Sequence, residues 1–388
     1  MKLEFYNCPK SEELNSSILP ETPEFVSYKP NFELMEKIAD EYKNYKNILI
    51  IAHGGSITSF MGMYFALKYL ANKKAYFLST VDPDYIQELK DTLRSEDTVV
   101  VSISKSGQNM TQIEMTGHFL DYPLVFITGK NSPLKEIADR LKAKVVDHPP
   151  IGGRYTAFTE VGLLPAVLVG LDARALFAGG RTFLDLYKRE NLAWKMASVM
   201  HLLEQKGFVD VFMPFYTHYL FPMANLIVQL CHESFGKEGK GQTYFAHEAP
   251  ESQHHTNQRF FGGRKNICGI FTTADSFNNQ LTTNYPPSLH SVQIKRHALF
   301  DVSKIPLEKS LESEAIGTKE DARINGIPLA QVSISSFTPG EIGKLIAFWQ
   351  LYAVYASVLR CVDPFDQPQV ENSKNLSFDK RLQFKGLL

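Results

Sequence analysis

Between Cys231 and Asn266 the chain reads CHESFGKEGKGQTYFAHEAPESQHHTNQRFFGGRKN, holding His232, His247, His254 and His255, several glutamates and a lysine/glycine turn. Glu233 directly follows the apolar run Leu226–Cys231, whose composition predicts the end of a buried helix. A carboxylate there would stand at the mouth of a pocket. Burial raises a glutamate's proton affinity from about 4.3 toward neutrality, which is what a general base removing a proton from carbon needs. The same spacing also fits a solvated glutamate at a helix end and histidines serving as loop polars. A metal site is not expected from His247, His254 and His255, because Gly236 and Glu251 stand where an HExxH motif needs its second histidine.

Two further clusters could hold an anion. Ala52-His53-Gly54-Gly55-Ser56 follows an apolar strand pattern and precedes a helical one, so its glycines let backbone amides approach a ligand at a helix N-terminus. Ser104-Lys105-Ser106-Gly107-Gln108-Asn109 offers two hydroxyls, one ammonium, a glycine and two amides after another apolar strand. That set of donors with one positive charge suits a phosphomonoester. Each loop alone is equally an ordinary turn. Together they point to a phosphate or sugar-phosphate pocket, with Gly55, Ser56, Ser104, Lys105, Ser106, Gln108 and Asn109 as candidates. Neither loop fits GxxxxGK[ST], nor does Lys237–Gly241, which excludes a P-loop. The stiff segment His148-Pro-Pro-Ile-Gly-Gly-Arg154-Tyr155 delivers one arginine, suited to an anion or to a catalytic role; a helix cap or an ion pair between domains is the alternative.

The elements that must position these residues follow an alternating pattern. Short apolar runs at Asn47–Ala52, Ala75–Leu78, Thr98–Ile103, Pro123–Thr128 and Lys144–Val146 predict strands. Helical stretches lie between them at Thr58–Leu70, Asp84–Leu93, Asn109–Phe119 and Pro133–Leu141. Apolar strands separated by helices imply an α/β fold with a mainly parallel, doubly wound sheet covered by helices on both faces, and ligands bind beyond the carboxyl ends of such strands. A second unit of the same kind is predicted. It has a helix Phe183–Gln205, a strand Val209–Met213, a helix Tyr219–Ser234, and strands at Asn266–Thr272, near Val292–Lys295 and at Leu329–Ile334. Residues 302–326 read as a charged surface excursion. The expected organisation is a polar arm or cap over 1–45, a first α/β domain over 46–180, a second over 181–338, and a C-terminal helix and tail over 339–388 that complete the site.

The composition narrows the function classes. Forty-one basic and forty-two acidic residues leave a net charge of -1, so neither a nucleic-acid partner nor an anionic membrane surface is expected. Cys8, Cys231, Cys268 and Cys361 form no CxxC pair, which argues against a zinc site or a disulfide framework and suits a reducing cytoplasm. The first residues lack the apolar core of a signal peptide. The apolar run Leu345–Leu359 is interrupted by Gln350 and flanked by Lys344 and Arg360, as befits a buried helix rather than a membrane span.

Six ordered motifs, over about 47–374, resemble the glucose-6-phosphate isomerase family, which is built from two sugar isomerase (SIS) domains. They are GGS at Gly54–Ser56, SKSG at Ser104–Gly107, GGRYTAFTEVGLLPA at Gly152–Ala166, ESFGKEGKG at Glu233–Gly241, QHHTNQ at Gln253–Gln258 and FDQPQVENSK at Phe365–Lys374. The resemblance implies two SIS-type doubly wound sheets and the reversible conversion of glucose 6-phosphate into fructose 6-phosphate. It implies Glu233 as the base between carbons 1 and 2, His254 and Lys374 in ring opening and closing, and Arg154 stabilising the enediolate. Gln367 would join the two anion loops in lining the substrate. No metal or organic cofactor is called for. The resemblance further implies a cytoplasmic homodimer in which the histidine reaches the pocket from the partner subunit. Gln108 and Asn109 replace threonines usual in the phosphate loop, His53 stands where a small or apolar residue is common, and Gln369 replaces a glycine. The alternatives are a mannose-6-phosphate or dual-specificity isomerase and a non-catalytic sugar-phosphate sensor.

Overall fold

The computed structural model describes residues 1–387. Its strands are β1 (Lys2–Tyr6), β2 (Asn47–Ala52), β3 (Lys74–Leu78), β4 (Thr98–Ser104), β5 (Leu124–Thr128) and β6 (Lys144–Asp147). The second half adds β7 (Asp210–Phe215), β8 (Thr243–Glu248), β9 (Ile267–Ala274), β10 (Gln293–Ile294), β11 (His297–Ala298) and β12 (Leu329–Ile334). One five-stranded sheet runs β3-β2-β4-β5-β6, all parallel, with Ile50 opposite both Phe77 and Val101. The other runs β1-β12-β9-β7-β8 and is parallel except for β1, which lies antiparallel along β12. In both sheets the unit's first strand sits between its second and third. The winding therefore reverses between β2 and β4 in one sheet and between β7 and β9 in the other, and a reversal of this kind opens a crevice at the strands' carboxyl ends.

Neither sheet owns a separate centre. Ile50 and Val101 of the first sheet, Val211, Met213 and Val332 of the second, and Trp349 and Tyr352 of the helix Pro339–Leu359 belong to one continuous buried cluster. The alternate residues Leu49, Ile51 and Val100 point the other way, into a smaller core under the outer helices. The helix Pro339–Leu359 is long and apolar enough to cross a membrane, but 83% of its most apolar window is buried inside the protein. It crosses the helix Ala173–Leu184 at a distance only glycines permit. A Cβ added at Gly179 would lie 2.0 Å from the Gly340 carbonyl oxygen, and one at Gly343 would lie 2.0 Å from that of Leu176.

Several sequence expectations need correction. Residues 1–45 are not only an arm, since β1 extends the second sheet by hydrogen bonding to β12. The helix predicted over Phe183–Gln205 is two helices, Ala173–Leu184 and Leu192–Gln205, because Asn191 is an N-cap whose side chain accepts from the amides of Ala193 and Trp194. The strand β8 occupies a stretch for which no strand is predicted, so His247 is a strand residue and not a loop one. The strand expected near Val292 is only the exposed hairpin β10–β11, outside both sheets. Within 302–326 lies the helix Leu307–Ile324, which buries Ala315, Thr318 and Ala322 against the second sheet. The polar tail contains the helix Glu371–Phe384.

Candidate active site

The helix Ala224–Phe235 rises from the end of β7 and stops at Gly236, so Gln229 and Glu233, four residues apart, lie on one face near its carboxyl end. Gln229 Nε2 donates to Glu233 Oε1 at 3.0 Å, and Gln229 Oε1 accepts from Thr58 Oγ1 at 3.3 Å. Thr58 belongs to the helix Gly55–Ala66 of the first unit. A series of side chains therefore ties the carboxylate across the seam between the two sheets. The other carboxylate oxygen, Oε2, accepts from Arg154 Nη1 at 3.1 Å. Glu233 keeps 27% of its side chain exposed. This partial exposure fits a place at the mouth of a pocket, and two oriented hydrogen bonds define its setting.

Arg154 is 2% exposed, and every hydrogen of its guanidinium has an acceptor. Nε donates to Ser234 Oγ at 2.9 Å, Nη1 to Glu233 and to Gln367 Oε1 at 2.6 Å, and Nη2 to the carbonyls of Pro364 at 2.6 Å and Asp366 at 3.1 Å. Lys237, buried one turn beyond the glutamate, donates to the carbonyls of Asp363 at 2.6 Å and Asp366 at 2.7 Å and pairs with the Asp366 carboxylate. Two buried cations thus clamp the segment Asp363–Gln367 against the glutamate. Gln229 and Thr58 lie outside the sequence motifs, and Lys237, though inside ESFGKEGKG, is given no role by them. Gln229 could have been found as the one polar residue within the apolar run Leu226–Cys231, one turn before Glu233.

The loop after β2 presses directly on the arginine. A Cβ on Gly55 would fall 2.2 Å from the Gly153 carbonyl carbon and 2.3 Å from the Arg154 amide nitrogen, so backbone meets backbone here. Ser56 is buried beside Gly153. The loop after β4 is folded by its own hydroxyls: Ser104 Oγ accepts from the Gly107 amide at 3.1 Å and Ser106 Oγ from the Gln108 amide at 3.3 Å. Asn109 is the N-cap position of the helix Met110–Gly117. Lys105 reaches back to the Pro150 carbonyl at 2.6 Å, joining this loop to the segment that carries Arg154. Both loops flank the reversal between β2 and β4.

Glu233, Arg154, Gln367, Gly55 and Ser56 are thus brought together, with the Ser104–Asn109 loop beside them. Lys374 sits on the helix Glu371–Phe384, paired with Glu371 at 2.7 Å, close enough for its charge, behind the larger effect of burial, to help push the His53 imidazole below its ordinary range. His254 is not brought to the cluster by its own chain. It is exposed in a short turn after β8 and makes no side-chain hydrogen bond among the described residues. His247 and His255 stack edge to face at 4.9 Å, and among the described residues no group of histidine, cysteine or acidic side chains could hold a metal ion. A cleft of about 540 Å³ lies elsewhere, beside Glu114, His118 and Arg381.

No family model matches the chain. It is 26% identical to a probable glucose-6-phosphate isomerase of Methanococcus maripaludis over 379 residues, covering 90% of this chain and 82% of the relative. It is 27% identical to the glucose-6-phosphate isomerase of Carboxydothermus hydrogenoformans, covering 91% and 83%. Among solved structures, a hypothetical protein of Thermus thermophilus superposes with a TM-score of 0.84 at 24% identity over 92% of this chain and 89% of the other. A glucose-6-phosphate isomerase of Chlamydia trachomatis superposes with a TM-score of 0.77 at 19% identity over 91% and 74%. This two-sheet α/β chain is therefore, over most of its length, a homologue of proteins named glucose-6-phosphate isomerase.

Proposed function

We propose that the protein is a glucose-6-phosphate isomerase, interconverting D-glucose 6-phosphate and D-fructose 6-phosphate through an enediolate, in the cytoplasm, with no nucleic-acid or membrane partner. The observation that carries this reading is the Glu233 carboxylate. It is held between Gln229 and Arg154 at the seam where the loops after β2 and β4 meet the second sheet. The relatives' names agree with it. Glu233 takes the proton from C2 of the open-chain aldose, the C2–H electrons form the C1–C2 double bond, and charge develops on O1. The same carboxylate returns that proton to C1 while the O2–H proton passes to O1 and the ketose carbonyl forms at C2, so two protons are relocated and the substrate is rearranged without net loss or gain of atoms. Arg154, with all its donors committed, acts as a fixed positive charge in a dry site, where such a charge needs no reorganisation as the enediolate forms. The loop Ser104–Asn109 holds the phosphate, and Gly55, Ser56 and Gln367 contact the sugar.

Ring opening needs an acid/base at the ring oxygen, and Lys374 with His254 supply it. Since His254 faces outward on its own chain, the imidazole is contributed by the second subunit of a homodimer. The test is a coupled assay of fructose 6-phosphate to glucose 6-phosphate on wild type beside Glu233→Gln. A general base contributes on the order of 10²–10⁴ in rate, so the variant should fold normally and lose at least that factor. A folded wild type with no turnover of either sugar phosphate would sink the reading.

A further inference from the structure

The helix Glu371–Phe384 carries Lys374, yet it buries none of its residues, and Leu376, Phe378 and Phe384 stand exposed. Among the described residues, every side-chain hydrogen bond of this helix is internal to it or to the turn before it, with one exception. Arg381 makes a two-pronged ion pair with Glu114, Nε to Oε1 and Nη2 to Oε2, both at 2.8 Å. Fork-on-carboxylate geometry fixes orientation as well as distance. Both partners are half-buried, and Arg381 Nη1 is braced on its own helix by Ser377 Oγ at 2.7 Å.

Position along the helix gives this tie its consequence. Lys374 and Arg381 are seven residues apart, two turns, so they lie on one face, with Ser377 between them on the same stripe. Docking Arg381 on Glu114 therefore fixes which side of the helix faces the protein, and Lys374 lies on that stripe, seven residues after the Gln367 that Arg154 holds; its side chain is 55% exposed and paired with Glu371. Glu114 is itself on the helix Met110–Gly117 that follows the Ser104–Asn109 loop. The tether is thus anchored to the helix that directly follows the proposed phosphate loop.

We propose that the Glu114–Arg381 ion pair is a positioning device that holds Lys374 at the mouth of the site. This rests on the role given to Lys374 above. Neither residue touches substrate; both act through the lysine.

The test uses the full-length protein with Arg381→Met, Glu114→Gln, the charge exchange Arg381→Glu with Glu114→Arg, and Lys374→Met. Freeing a positioned group typically costs a factor of roughly 10 to 10² in turnover, and that loss is expected for each single variant. The charge exchange should restore most of it. In the Lys374→Met background, Arg381→Met should add no further loss, which a merely stabilising pair would not reproduce. Hydrogen exchange of the backbone amides over 371–384 should speed up in Glu114→Gln. Wild-type turnover in both single variants overturns the proposal, and so does a loss that multiplies with that of Lys374→Met. A wild type that turns over neither sugar phosphate defeats the functional reading instead; unchanged exchange in Glu114→Gln would then defeat the positioning pair on its own.

Discussion

At Arg154 all the guanidinium hydrogens are matched, and the acceptors come from two stretches far apart in sequence: Glu233 and Ser234 in one, Pro364, Asp366 and Gln367 in the other. Side-chain chemistry makes Glu233 and Arg154 candidates beside plainer readings, and it is the family resemblance of the motifs that singles them out and adds Gln367. What neither can give is who orients whom. The amide of Gln229 on Glu233 and the two clamps on Asp363–Gln367 depend on a packing of distant segments that no local pattern encodes. The arginine's own segment begins at His148, whose ring is buried and bonded through Nδ1 to the Pro149 carbonyl at 2.7 Å. Burial pushes the His148 imidazole down to about 4, with the Lys105 charge adding to it and the Pro149 bond opposing it. The folded chain therefore keeps this ring neutral where the unfolded chain, with a value near 6.5, takes up a proton. Stability is unaffected above about pH 6.5 and is withdrawn as pH falls from there toward 4, by about 3 kcal/mol in all. Urea midpoints measured across that range should fall more steeply with acid for wild type than for His148→Asn. Parallel curves would show that this ring is not the group responsible.

Elements are legible where burial is two-sided. β2, β4 and β5 are mostly apolar and buried along nearly their whole length because helices cover both faces, and their sequence limits lie within a residue or so of the observed ends. Elements with one wet side are not. β1 alternates apolar and charged residues along a sheet edge, β8 carries histidine and glutamate, and the helix Leu307–Ile324 buries only small residues under a charged exterior. The break before Leu192 escapes a reading by apolar periodicity, which runs through it, while the signal for it is a single asparagine. Asn191 caps the following helix with its Oδ1. Its Nδ2 donates to the Leu186 and Arg189 carbonyls, at 3.3 and 2.8 Å, and to the hydroxyl of Tyr355 at 3.0 Å. Asn191→Ala loses the cap and leaves that buried hydroxyl without its donor. Caps of this kind are worth about 0.5–2 kcal/mol, so a stability loss toward the upper end is expected, seen as a lowered urea midpoint. Turnover of the folded fraction should stay at the wild-type value, since Asn191 shares no hydrogen bond with the Glu233 and Arg154 cluster. A fall in turnover per folded molecule would mean that this bend helps to place the site.

At the scale of the whole molecule, alternating strands and helices announce two α/β units, but the order of strands within each sheet is not a property of any segment. Only the assembled pairing shows that both units reverse at the same place, putting the loops after β2 and β4 opposite the helix that follows β7. The same assembly leaves His254 exposed, apart from the Glu233 and Arg154 cluster. If a second subunit supplies that imidazole, each site takes its glutamate from one chain and its histidine from the other, and two defective chains can complement. Glu233→Gln and His254→Asn should each be inactive alone. Mixed, unfolded together and refolded, half of the dimers formed at random contain one chain of each kind. In such a dimer one site inherits both lesions and the other inherits neither. A two-fold symmetric pair should thus recover about a quarter of wild-type turnover. A histidine acting within its own chain recovers nothing, because every site in every dimer then carries one lesion. Recovery that rises with the mixing ratio to a maximum at equal amounts, and that vanishes when either variant is replaced by the double mutant, would establish the shared site. Its absence in a mixture shown by mass to contain mixed dimers would return His254 to the surface role its exposure in a single chain suggests.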